Sequence, residues 1–128
     1  MTRPQSPTFT QQELEIMKIV WELGSATVRE VYETLLSQRK IAYTTVMTMM
    51  KIMEKKRYLK RRLDGRAFVY EPSQPKNQTI RELVREFVNR VFNGSAEPLL
   101  LHLVEEHRVS EKHLTQLAKL IRESEGKG

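Results

Sequence analysis

Along almost all of this 128-residue chain the apolar residues recur at helical spacing, and the period changes to two in one stretch, between Tyr58 and Glu71. There, two alternating runs, residues 58–63 and 67–71, flank Asp64-Gly65-Arg66. An Asp-Gly step between such runs is a strong short-range hairpin signal, because glycine supplies the positive φ that a tight turn requires. The pattern predicts a mostly α fold carrying one small β-hairpin.

Three helices are expected before the hairpin. Residues 1–8, with Pro4 and Pro7 among polar neighbours, read as a loose arm. Thr10 and Glu13 then form a capping-box pattern, and Leu14, Met17, Val20 and Trp21 follow at amphipathic spacing until Gly24 stops the helix. Thr27 with Glu30 repeats the box ahead of Val28, Val31 and Leu35, with an end near Gln38. A third helix is predicted over 44–57, with Val46, Met49, Met50 and Met53 on one face and Thr45, Thr48, Lys51 and Lys55 on another. The methionines sharing a face with Val46 read as core, and so does Trp21.

Pro72 and Pro75, in a polar stretch running to Gln78, predict a linker and a domain boundary near residue 74. The expected organisation is an arm at 1–8, a first domain at 9–74 and a helical second domain at 75–128. In the second, Thr79 and Glu82 spell a third capping box ahead of an Ile80, Leu83, Val84, Phe87, Val88, Val91 stripe, which ends at Asn93-Gly94. Two further helical segments start at Ser95 and Ser110. Three short helices of this composition have no globular partner in the same chain, so a second copy is the simpler place to bury their apolar side chains. Phe87, Val91, Leu99, Leu100, Leu103, Val104, Leu114, Leu117, Leu120 and Ile121 are the expected homodimer contacts.

Charge points to the partner. The formal net charge is +6, and residues 51–66 hold eight basic side chains against Glu54 and Asp64, so this one segment carries all of it. Such a stripe suits a polyanion, against the plainer reading of a solvated charged face. Helix, helix, helix and basic hairpin is the order of a winged helix-turn-helix, in which the helix after the turn enters the major groove of DNA. Tyr43, Thr44, Thr45 and Thr48 offer hydroxyls near that helix's start, and Met47 an apolar contact if it points outward. Lys51 and Lys55 lie where phosphates run, and Arg61, Arg62 and Arg66 of the hairpin can grip the backbone or enter the minor groove. Thr44 has an alternative role as an N-cap, and Thr45 and Thr48 as plain exposed residues.

No enzyme is expected, and no cofactor or metal. The chain has no cysteine, and His102, His107 and His113 are spaced by five and six residues rather than the three or four that put two ligands on one helical face. Glu105 and Glu106 are adjacent and diverge on a helix, and no Gly-rich phosphate loop or nucleophile motif occurs. With neither an export signal nor a membrane-length apolar run, a cytoplasmic protein without membrane insertion is expected. Two other functions fit the pattern: a ligand-responsive winged-helix regulator, and a winged-helix module that docks another protein.

The run Ala42-Tyr43-Thr44-Thr45-Val46-Met47-Thr48 with the hairpin after it, the opening from Thr10 to Met17 with Trp21, the Thr27 to Val31 turn, and Phe92-Asn93-Gly94-Ser95 together resemble the penicillinase repressor (BlaI/MecI) family, from Phe9 to Arg122. The resemblance implies a homodimeric transcriptional repressor on double-stranded, palindromic operator DNA, with C-terminal helices pairing and the positions of Thr44, Thr45 and Thr48 facing the groove. It further implies derepression through a membrane sensor protease system that leads to cutting at an Asn-Phe bond. His102-Leu103 stands at that position here, a departure that leaves the inducing signal open. The absence of cysteine separates the chain from the family's copper-responsive branch, whose metal motif is Cys-rich.

Overall fold

The structure is a computed structural model that describes residues 9–126; the predicted arm at 1–8 lies outside the described residues. The element order is α1 (Gln11–Leu23), α2 (Val28–Leu36), α3 (Tyr43–Lys55), β1 (Leu59–Asp64), β2 (Ala67–Pro72), α4 (Lys76–Phe92), α5 (Glu97–Glu105) and α6 (Glu111–Gly126). The mostly helical fold with one antiparallel hairpin agrees with the sequence expectation. The chain divides into two compact units, one running to Leu83 and the other from Val84. This division falls inside α4, downstream of the prolines.

Local chemistry starts the first two helices. Thr10 Oγ1 accepts from Glu13 N at 3.1 Å while Glu13 Oε1 accepts from Thr10 N at 2.9 Å, and Thr27 with Glu30 repeats both bonds at 3.1 and 2.8 Å. Each box satisfies backbone donors that a helix N-terminus otherwise leaves unpaired. The third predicted box does not form. α4 begins at Lys76, because the carbonyl of Pro75 already accepts from Gln78 N and Thr79 N, which puts Thr79 inside the first turn rather than at the cap. Thr79 is instead buried, and its Oγ1 accepts from Gln74 Nε2 at 2.9 Å, a donor that also reaches Glu82 Oε2 at 3.2 Å.

α3 is shorter than the predicted 44–57. Its cap is Lys56, and Arg57 turns the chain away with φ of 69°. Tyr58 N then donates to Met53 O at 2.9 Å, the six-to-one bond of a left-handed helix terminus. The turn delivers Leu59 straight into the core at the start of β1.

That core is one cluster: Ile16, Met17 and Val20 of α1, Val31 and Leu35 of α2, Val46, Met50 and Met53 of α3, with Ala26, Leu59 and Tyr70. Burying side chains of this size contributes about 1.5–3 kcal/mol each. Met49 and Trp21, expected in the core, are half-buried and pack against it. The hairpin is fastened at its base by an antiparallel bridge, Ala26 N to Tyr70 O at 2.9 Å and Tyr70 N to Ala26 O at 2.8 Å. Ionic contacts add to this: Arg39 Nη1 meets Glu15 Oε2 at 2.6 Å, and Lys56 Nζ meets the buried carboxylate of Glu13 at 3.0 Å.

Within the second unit, α5 and α6 contain no buried residue. Phe87 meets Phe92 at 5.9 Å between ring centroids, and Phe92 meets the His102 ring at 6.0 Å. No helix among the described residues is long and apolar enough to cross a membrane.

Candidate nucleic-acid interface

The helical period of α3 decides what faces outward. Val46, Met50 and Met53 are fully buried, and the residues on the opposite side, Thr44, Thr48, Lys51 and Lys55, are exposed. The spacing of four, three and four keeps these four in one line along the helix. Thr45 is exposed on the flank of that line, and Met47 is half-buried on the other side. Thr44 is not the N-cap. Ala42 holds that position, and its side chain has no hydroxyl to cap with.

Among the described residues, the hydroxyls of Thr44, Thr45 and Thr48 meet no acceptor or donor in the protein. Thr34 and Thr115 behave otherwise, since their hydroxyls fold back onto the carbonyls of Glu30 and Glu111 at 2.8 and 3.1 Å. β-branching lowers helix propensity, so three exposed threonines in five positions have no benefit to the helix itself. Lys51 and Lys55 likewise have no carboxylate partner among the described residues. The stripe therefore presents unsatisfied hydroxyls at one end and unpaired cations at the other.

The hairpin arginines divide into two kinds. Arg61 is held to α3 by Glu54, at 3.6 Å from Nε to Oε2, and its guanidinium lies 4.2 Å from the centre of the Phe68 ring. Arg62 meets Glu71 at 3.4 Å, with Lys60 on the same carboxylate at 3.8 Å. These exposed pairs are worth less than about 1 kcal/mol each, so they orient the cations without neutralising them for a stronger anion. Arg66 sits beside Gly65, whose φ of 65° makes the turn, and has no ionic partner among the described residues. Register pairs Leu63 with Phe68 near the tip, both exposed. Below them Tyr70 is buried, and burial, with Glu54 nearby, pushes its hydroxyl above the usual tyrosine range.

Two features escaped the sequence. Ile52 is 43% exposed, four residues beyond Thr48 on the same side; it interrupts the buried spacing that ends at Met53, and that mismatch was the available signal. Tyr43 is not simply a hydroxyl at the start of α3, because its ring stands against Tyr32. No short-range pattern joins those two residues.

A family model described as penicillinase repressor matches residues 9–123. The chain belongs to the penicillinase repressor family. Within the family it is 29% identical to the penicillinase repressor of Bacillus licheniformis over 117 residues, 91% of each chain. It is 31% identical over 115 residues to the transcriptional regulator BlaI of Mycobacterium tuberculosis, covering 88% of this chain and 82% of that one. With the methicillin resistance regulatory protein MecI of Staphylococcus aureus the identity is 23% over 113 residues, 88% and 92% of the two chains. The solution structure of the monomeric form of the B. licheniformis BlaI in complex with the blaP half-operator matches with a TM-score of 0.51 and 32% identity, over 57% of this chain and 89% of that one. The DNA-binding domain of the repressor BlaI matches equally, with a TM-score of 0.51 and 31% identity.

Proposed function

We propose that this member of the penicillinase repressor family is a cytoplasmic, dimeric, sequence-specific repressor of transcription. Its first domain, about residues 9–74, binds one half of a palindromic operator, and residues 75–128 pair two copies. The observation that carries this reading is the line of Thr44, Thr48, Lys51 and Lys55 on α3, opposite the buried Val46, Met50 and Met53. Hydroxyls without partners can donate to or accept from base edges, and threonine methyls contact thymine methyls, while cations one and two turns later meet the flanking phosphates. Tyr43, Thr45 and Met47 border the same surface. Arg66 reaches the backbone or the minor groove from the hairpin tip, with Arg61 and Arg62 behind it. The half-operator complex of BlaI supports DNA as the partner.

Pairing is supported by the apolar side chains the second unit leaves exposed, among them Phe87, Val91, Leu100, Val104, Leu114, Leu117, Leu120 and Ile121, with Leu99 and Leu103 half-covered. Joining two half-site binders makes the second contact intramolecular, which raises avidity by about two to four powers of ten. Loss of the dimer then releases the operator. Cutting at the position of His102 and Leu103, under a membrane sensor protease system, is one way to lose it. The bond lies in α5, among the residues proposed to pair the copies, so a cut there would break the pairing surface itself.

A mobility-shift titration against DNA from upstream of the gene itself, with random DNA as competitor and at two salt concentrations, tests the reading. Specific retention of a dimer-sized complex with steep salt dependence is the expected result. Equal affinity for both DNAs would overturn sequence-specific repression at that site.

A further inference from the structure

Arg29 lies in the first turn of α2, exposed, with its guanidinium carbon 5.3 Å from the centre of the Tyr43 ring. The other contact on that ring is Tyr32, edge-on at 5.4 Å and 80°. Tyr32 is half-buried against the core. Tyr43 is therefore held between α2 and α3 by a cation on one side and an anchored ring on another. It is the first residue of α3, one position before the exposed threonine line begins.

We propose that Arg29 grips a phosphate beside the bases that α3 reads, and at the same time positions Tyr43 at the entrance of that helix. This rests on the DNA-binding reading given above. Three observations carry it. Arg29 has no carboxylate partner among the described residues. The nearest acid in sequence is committed elsewhere, since Glu30 Oε1 accepts from Thr27 N at 2.8 Å. A guanidinium 5.3 Å from a ring centre is held by the ring quadrupole and keeps its N–H donors, in a fork that matches two phosphate oxygens. In helix-turn-helix docking the helix before the recognition helix crosses the DNA backbone, so a cation in the first turn of α2 meets phosphate rather than a base.

Lysine at this position would keep the charge but not the planar guanidinium beside Tyr43, and that separates the two roles. The test is an operator and random-DNA titration of the full chain, its R29A and R29K variants, Y43L, and the R29A/Y43L double variant, across a salt series, with thermal unfolding of each. Arg29→Ala should weaken both DNAs by about tenfold and flatten the slope of log affinity against log salt by about 0.9, the signature of one lost phosphate contact. Arg29→Lys should keep that slope and lose about threefold on the operator alone. The double variant should lose less than the product of the single losses, because the two side chains act together. A structural role alone would move the unfolding temperature and leave the salt slope intact. Wild-type binding with an unchanged slope in Arg29→Ala would overturn this assignment only. Absence of any DNA affinity in the wild type would overturn the functional reading and this inference with it.

Discussion

In the unit that runs to Leu83, side chains from α1, α2, α3 and both strands close on one another until Ile16, Val20, Val31, Val46, Met50 and Met53 have no exposed surface at all. In the unit from Val84, Leu120 is 60% exposed, Ile121 53% and Val91 50%, and α5 and α6 bury nothing. Large apolar residues make up about a third of each, so their proportion does not explain the contrast. The first unit has sequence-distant elements to cover each face, including a hairpin bridged back to Ala26, whereas the described residues of the second form the end of α4, α5 and α6, consecutive in sequence and without a strand. A unit that closes its own core can be asked to hold a surface still for DNA. One that cannot is suited to recognise another copy of itself, and its stability is then tied to concentration.

Breaking the second unit's contacts in the intact chain should produce the largest effect. Leu117→Asp with Ile121→Asp puts charge on two exposed apolar positions of α6 and changes no residue of the first unit. Sedimentation should then give a monomer, and operator affinity should fall by about 100-fold or more as the linkage between half-sites is lost. A variant that remains dimeric would mean that other side chains pair the copies.

Truncation in each unit sharpens the contrast. Ile16→Ala should destabilise the first unit by about 3 kcal/mol, since it removes a fully buried side chain from a closed core. Leu120→Ala should leave that unit's urea midpoint unchanged and lower only a transition that shifts with protein concentration. If both substitutions moved a single, concentration-independent transition, the division into a closed and an open unit would be wrong.

Within the first unit, the interface threonines and the hairpin should separate by the DNA they notice. Thr48→Ala should cost about 1–3 kcal/mol on the operator and little on random DNA. Arg66→Ala should weaken both and flatten the salt slope by about one. Competitive titration measures each. Equal losses on both DNAs for Thr48→Ala would remove its base-reading role.

What could be read from the sequence was local. The Thr10/Glu13 and Thr27/Glu30 boxes and the Asp64-Gly65 turn each act across a few residues, and the core of α3 follows from its period. Thr79/Glu82 spells the same box and does not form it, because Pro75 starts the helix earlier and the threonine is taken by Gln74. The end of α3 carries no sequence signal, because the left-handed residue there is Arg57 and not a glycine. The bridge from Ala26 to Tyr70, the Glu54 latch on Arg61 and the contacts of Tyr43 with Arg29 and Tyr32 join residues of different elements. Their partners are fixed by packing and carry no short-range pattern. The candidate interface was legible as a set of residue types on one helix; which cations are tethered and which hydroxyls are open was not.

Glu13 offers the smallest and most selective comparison of the units. Its carboxylate is 4% exposed, closes the α1 cap through Thr10 N, and takes Lys56 at 3.0 Å from the far end of α3. Burial by itself raises the carboxyl, but the Thr10 backbone bond and Lys56 outweigh it and hold the group below its ordinary value. A carboxylate with a lower pKa folded than unfolded contributes stability in full above the unfolded value, about 4.3, and loses it as pH falls through the folded one. Glu13→Gln keeps an oxygen for Thr10 N and removes the charge facing Lys56. With Lys56 44% exposed the pair is partly screened, so the cost at neutral pH should be about 1 kcal/mol or less. Urea midpoints of the wild type should therefore fall more steeply than those of Glu13→Gln as pH drops below about 5, and the two should converge once the carboxyl is protonated. The transition of the second unit should keep the same pH profile in both proteins. Parallel curves for the first unit would show that Glu13 acts there through the cap alone, without a stabilising charge.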